Sequence, residues 1–218
     1  MHIAELWRYP VKSLTGERLV SAEIGPDGIA GDRQAVVVDE TSGRILTARK
    51  HPRLLALHAV LGPDREALVD WRPWTDPASA RAVKAAAGES ARLVPWDGPE
   101  RFDVLPLLVA TDGAIAALGH DGRRLRPNIV VGGVDCLAER DWPSRRLRIG
   151  GVVLHVAKLR GRCVMTTYDP DTQEQDHGVL RRIVEEFDGQ MALDTAVVRG
   201  GRIAVGDPVE LLELWVGR

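Results

Sequence analysis

Two cysteines, Cys136 and Cys163, are the only thiols in the chain, and Cys163 is the one placed for chemistry. It lies in Gly161-Arg162-Cys163-Val164-Met165-Thr166-Thr167, with Arg160 and Arg162 three and one residues before it. The thiolate is the nucleophile and the metal ligand, and neighbouring cations favour it over the thiol. A soft thiolate at the start of a β-prone run suits a soft metal. A lone cysteine is more often a small buried hydrophobe with an inert thiol, and composition alone favours that reading. Two cysteines cannot build a disulfide framework or a four-thiolate zinc site. The six histidines show no HxxxH or HxH spacing. If Cys163 binds a metal, the other ligands must come from a cofactor. Cys136, after Val134-Asp135, receives no role.

Three further clusters place cations or amides beside glycine or proline: Tyr9-Pro10-Val11-Lys12-Ser13, Gly31-Asp32-Arg33 and Arg126-Pro127-Asn128. Loops of this kind carry functional side chains on a rigid scaffold. Singly, each reads as a solvated surface cation. Together Lys12, Arg33, Arg126 and Arg162 can clamp an anion, arginine in bidentate fashion and lysine as a point charge. Ser13 and Asn128 add neutral hydrogen bonds. The ligand this implies is an anionic small molecule presented to Cys163.

The totals narrow the setting. A formal net charge of −2 gives no global field towards nucleic acid or anionic lipid. Apolar runs such as Ala35–Val38 and Ile129–Val131 are too short to span a bilayer. The first residues lack the basic and apolar regions of a secretory signal, and a cytoplasmic protein is expected. With 218 residues, of which 44% are hydrophobic, the chain can bury a large core as one domain or two.

The elements that must hold these side chains read mainly as strands. Ile3–Tyr9, Leu19–Ile24, Gln34–Asp39, Arg44–Ala48, Leu54–Leu61 and Glu66–Trp71 are expected as strands separated by turn residues. Such spacing predicts a barrel or sandwich. Residues 72–99 are broken by prolines around an alanine-rich helical stretch, Ser79–Ala87, and read as the join between two halves. The second half offers strands at Pro106–Ala110, Asn128–Val131, Leu147–Ile149, Val152–Ala157, Met191–Val198, Arg202–Val205 and Val209–Leu214. A helix capped by Thr111-Asp112 ends at Gly119, and Val179–Asp188 has the apolar spacing of a second. The six tryptophans are scattered and read as core or join residues.

These blocks, with Thr47-Ala48-Arg49, Pro52-Arg53-Leu54, Asp169-Pro170-Asp171-Thr172 and Val205-Gly206-Asp207-Pro208-Val209, make the chain resemble the MOSC superfamily. Within it the likeness is to the mitochondrial amidoxime-reducing components and their bacterial counterparts. The resemblance implies a mainly β (α+β) fold: an N-terminal β-barrel-like domain over residues 1–94, then a MOSC β-barrel domain over 95–218 with a few short helices. It implies a molybdenum cofactor, with one pterin dithiolene, oxo groups and a protein thiolate on the metal. Cys163 matches that ligand and is the expected catalytic residue. Lys12, Ser13, Arg33, Arg126, Asn128 and Arg162 match positions that hold the pterin and its phosphate, and Asp103 matches an acidic residue near the pterin.

The activity implied is a two-electron reduction of small N-hydroxylated substrates to amines, independent of pyridoxal phosphate. Electrons would come from a separate ferredoxin-, cytochrome b5- or flavoprotein-type donor, since the chain lacks the ferredoxin-like extension of some bacterial relatives. Neither nucleic acid nor membrane is an expected partner. The other reading is a non-catalytic module that carries the cofactor or sulfur on Cys163. Two positions depart from the family: Arg160 replaces a frequent cysteine and Leu125 a frequent phenylalanine. Arg160 implies an altered substrate preference or redox potential. His51 and His177 are candidate proton donors near the matched blocks, though each reads more readily as a surface histidine.

Overall fold

In the computed structural model, which describes residues 1–213, the chain is mostly β with three α-helices. Its centre is an eight-stranded sheet. The strand order is Val209–Leu212, Arg146–Ile149, Val152–Gly161, Gln190–Arg199, Leu107–Thr111, Ile129–Gly132, His2–Arg8 and Glu17–Leu19. Every neighbouring pair is antiparallel except Leu107–Thr111 with Ile129–Gly132. That parallel pair is joined through the helix Asp112–Leu118, as a parallel connection requires. The first two strands of the chain therefore complete a sheet built otherwise from its second half. Three three-stranded sheets surround this one.

Strand alternation decides where the cores lie. In Leu107–Thr111 all five residues are buried. Leu107 and Val109 join one core with Ile3, Leu6, Leu147 and Leu154. Leu108 and Ala110 face the other way and pack with Leu118, Leu125, Val179 and Ile183 beneath the helices. A third core, including Val11, Leu14, Val37, Leu54 and Val83, fills the N-terminal region. The helix Pro77–Ala87 lies over it, with Asp76 accepting a hydrogen bond from the Ala78 N–H at 2.6 Å and Pro77 in the first turn.

The helix after Thr111 begins and ends as its sequence predicts. The Thr111 hydroxyl accepts from the Ala114 N–H at 3.1 Å, and Gly119 closes it at φ 70°. His177–Glu186 forms the last helix, capped by Asp176. The hairpin through Gly150-Gly151 is present, and its second strand runs on to Gly161. Leu54–Leu61 differs from expectation. Pro52 opens a 3-10 turn over Pro52–Ala56, and only Ala59–Leu61 is extended. The return strand expected over Arg44–Ala48 is just Ile45–Leu46. The closing strand spans Val209–Leu212; its predicted end, Leu214, and Trp215 lie outside the described residues. Among the described residues no helix is long and apolar enough to cross a membrane.

Candidate functional site

The long strand Val152–Gly161 delivers Cys163 two residues past its end, and the β-prone run there is not a strand. Val164–Thr167 is a 3-10 turn with Cys163 as its N-terminal flank. The cause is local side-chain chemistry that competes with extended pairing. The Thr166 hydroxyl donates to the Cys163 carbonyl at 2.9 Å, and the Thr167 hydroxyl to the Val164 carbonyl at 2.7 Å. Arg124, buried, donates to the Thr167 carbonyl at 2.9 Å and pairs with Asp169 at 3.0 Å. The turn that carries the sulfur is thus stapled to the Asp169-Pro170-Asp171 bend.

Cys163 opens onto a cleft. Its walls include Lys12, Ser13, Arg33, Asp103, Arg126, Asn128, Arg162 and Cys163. Every residue expected at the site therefore lines one cavity, although they are drawn from five separate stretches of chain. Thr47, Arg49, Phe102, Leu105, Leu108, Leu125, Arg160, Gly161 and Met165 complete the lining. Six of these side chains are cationic and one, Asp103, is acidic. His51 and His177 are not among the lining residues.

Backbone conformation sets three of the polar groups. Ser13, Arg33 and Arg126 have φ of 74°, 50° and 54°. Non-glycine residues rarely adopt this left-handed region, and such residues concentrate where surrounding structure fixes a functional geometry. Ser13 is held by its hydroxyl, which accepts from the Ala48 N–H at 3.1 Å.

Behind Arg33 lies a buried network. The Asp32 side chain is 0% exposed and accepts from the Tyr9 N–H at 2.7 Å, from Asn128 Nδ2 at 3.2 Å and from Arg33 Nη1. Asn128 Oδ1 accepts from the Leu108 N–H at 3.2 Å, so the amide is oriented on both sides. Burial pushes Asp32 upward against the lowering charge of Arg33 and its hydrogen bonds. Tyr9 presents its ring to Arg33 and Arg126, at 5.2 and 4.4 Å from the two guanidinium carbons. Burial raises the Tyr9 phenol to about 12 despite those cations, which keeps the ring neutral between them.

Arg162 donates to the Leu125 carbonyl at 2.8 Å, but its buried Nε has no hydrogen-bond partner. Burial, then the neighbouring Arg160 cation, brings its pKa down to about 10, leaving it charged near neutrality. An unpartnered buried donor among concentrated cations asks for an anion. No cluster of three or more His, Cys, Asp or Glu able to hold a metal occurs among the described residues. One soft thiolate donor among cations and hydrogen-bond donors therefore fits an anionic group that brings most of its own metal ligands.

Asp103 is the counterweight on the rim, 48% exposed, 2.9 Å from Lys12 Nζ and 3.4 Å from Arg49. Burial pushes it up, but the charge and hydrogen bond of Lys12, then Arg49 and Arg160, outweigh burial and hold it below the ordinary carboxylate range. A depressed carboxylate stabilises the fold fully above its unfolded pKa, about 3.9, and ceases to do so as pH falls through the lower folded value. The stability advantage of wild type over Asp103→Asn is therefore expected to shrink on acidification below about pH 4. Thermal melts across that range check the sign; an advantage that grows as pH falls contradicts it.

A cationic cleft carrying one thiol therefore sits on a mainly β scaffold with three α-helices. Residues 1–98 match the model of the MOSC N-terminal beta barrel domain and residues 112–210 that of the MOSC domain. The chain belongs to the MOSC superfamily. It is 27% identical to human mitochondrial amidoxime reducing component 2, over 95% of this chain and 82% of that protein. It is 25% identical to human mitochondrial amidoxime-reducing component 1, over 96% of this chain and 82% of that one. The fold matches the crystal structure of the YUAD protein from Bacillus subtilis, with TM-score 0.54 and 14% identity, over 98% of this chain and 96% of that one.

Sequence reading missed several groups at the site. Asp32 and Arg49 stand inside motifs it singled out, but their partners lie far along the chain. Asp194 is a lone carboxylate within the apolar stretch Met191–Val198, a signal of a buried, paired charge that could have been read.

Proposed function

We propose that this protein is a molybdenum-cofactor-dependent reductase of N-hydroxylated compounds, served by a separate electron-transfer protein of the ferredoxin, cytochrome b5 or flavoprotein type. The observation that carries the reading is the single cleft in which Cys163 faces six cationic side chains. The names of the human relatives support the reaction class.

Cys163 would supply the thiolate to the metal. Arg33, Arg126 and Arg162 would bind the phosphate and pterin oxygens through N–H groups not engaged within the protein, and Lys12 would add a point charge tethered by Asp103. Ser13 and Asn128 would fix the orientation of the heterocycle. When bound, the cofactor would supply the two-electron removal of oxygen from nitrogen. In balance, an amidoxime, two electrons and two protons give the amidine and water. The division expected from sequence, residues 1–94 and 95–218, is kept here as a proposal: the N-terminal part supplies Lys12, Ser13 and Arg33, and the remainder supplies Cys163 and the other clamps.

Protein made in a host that synthesises the cofactor should reduce benzamidoxime to benzamidine with reduced methyl viologen as electron source. Bound pterin without any turnover of benzamidoxime or a hydroxylamine would favour a carrier of the cofactor over a reductase.

A further inference from the structure

Of the cations on the cleft walls, Arg160 is held differently from the rest. Lys12 and Arg49 meet Asp103, Arg33 meets Asp32 and Asn128, and Arg126 donates to the Leu14 carbonyl at 2.7 Å. Arg160 is gripped only at Nε, which lies 2.8 Å from Asp194 Oδ1 without a directed hydrogen bond. Asp194 is 0% exposed on the neighbouring strand Gln190–Arg199, where it stands opposite Lys158. Among the described residues no acceptor is bonded to the terminal nitrogens of Arg160, and its side chain, 15% exposed, lines the cleft that holds Cys163.

We propose that Arg160 forms a subsite for a carboxylate on the substrate, so that the preferred N-hydroxylated compounds are anionic. The inference rests on the reductase reading above. A guanidinium already held at Nε by the ion pair with buried Asp194 loses less side-chain entropy when its terminal nitrogens close on a carboxylate. That edge matches the carboxylate in a bidentate pair, which a neutral ester cannot accept with equal strength. Arg160 and Cys163 line the same cleft, so a substrate whose carboxylate meets Arg160 would have its other end free to reach towards Cys163. Its field already reaches across the opening, since it helps to hold Asp103 ionised.

The test compares 4-carboxybenzamidoxime with its methyl ester, using the cofactor-loaded protein and reduced methyl viologen. Wild type is expected to favour the carboxylate in kcat/KM by about ten-fold or more, the scale of one charge-assisted hydrogen bond. In Arg160→Gln the ratio is expected to fall to near one, with molybdenum and pterin content retained. Because that change leaves Asp194 buried without its cation, Arg160→Gln/Asp194→Asn, which removes both charges, repeats the measurement. A wild-type ratio near one, a ratio that survives both variants, or loss of pterin from both variants overturns the proposal. The last result would assign Arg160 to the cofactor. If the loaded protein reduces neither compound, the reductase reading fails separately. Calorimetry with the amidine products then decides the subsite: about ten-fold tighter binding of 4-carboxybenzamidine than of its ester, lost in the variants, supports it, and equal binding overturns it.

Discussion

Replacing Cys163 by serine is expected to abolish reduction of benzamidoxime while leaving the fold intact. Loss of groups that merely support a metal ligand costs about 10–100-fold, so removal of the thiolate itself should exceed that, by roughly a thousandfold or more. Stability should change little, within about 0.5 kcal/mol, because Cys163 is only partly buried and its sulfur makes no hydrogen bond with the described residues. The backbone that positions it is held by other groups: the Thr166 and Thr167 hydroxyls and the buried Arg124. Paired activity and urea-unfolding measurements check both halves. Retained turnover in Cys163→Ser, with an unchanged melting curve, would remove the sulfur from the chemistry.

Asp32→Ala should do the opposite, striking the fold first and the cleft through it. Three donors converge on this fully buried carboxylate: the Tyr9 N–H, Asn128 Nδ2 and Arg33 Nη1. Breaking one partner of a buried pair costs about 3–5 kcal/mol when the other charge stays buried, and the stranded Tyr9 N–H adds to the loss. Arg33 retains some exposure to the cleft, which places the expected loss near the lower end, about 3 kcal/mol. Urea titration would read this as a fall in midpoint. Asp32→Asn keeps an acceptor for Tyr9 and should lose less. A loss below about 1 kcal/mol for Asp32→Ala would mean that the network does not organise the cleft.

These two residues mark the limits of reading the chain without its fold. That Cys163, Lys12, Ser13, Arg33, Arg126, Asn128 and Arg162 could share one cleft was legible because each stands in a short motif with glycine, proline or another cation. The helix from Asp112 was legible because its cap and stop are local. Most strand positions were legible from alternation and apolar runs, those over Leu54–Leu61 and Arg44–Ala48 excepted, but the order of the eight-stranded sheet was not, since His2–Arg8 finds its partner at Ile129–Gly132. Asp32 stands in the sequence only as the middle of Gly31-Asp32-Arg33, and the fold brings Asn128, 96 residues away, onto it. The turn at Cys163 was hidden for a related reason. Val164, Thr166 and Thr167 favour strands by propensity, and threonine hydroxyls returning to carbonyls three residues back, with Arg124 from another loop, decide otherwise.

The cleft around Cys163, with its six cationic side chains, would hold a molybdenum cofactor under the proposed function. Metal and pterin analysis of the protein, purified from a host that makes the cofactor, tests it most directly. The expected result is close to one molybdenum and one pterin per chain in wild type, with both sharply reduced when Arg126 and Arg162 are replaced together by glutamine in a protein that still melts cooperatively. Wild-type protein from such a host that carries neither molybdenum nor pterin would contradict the account.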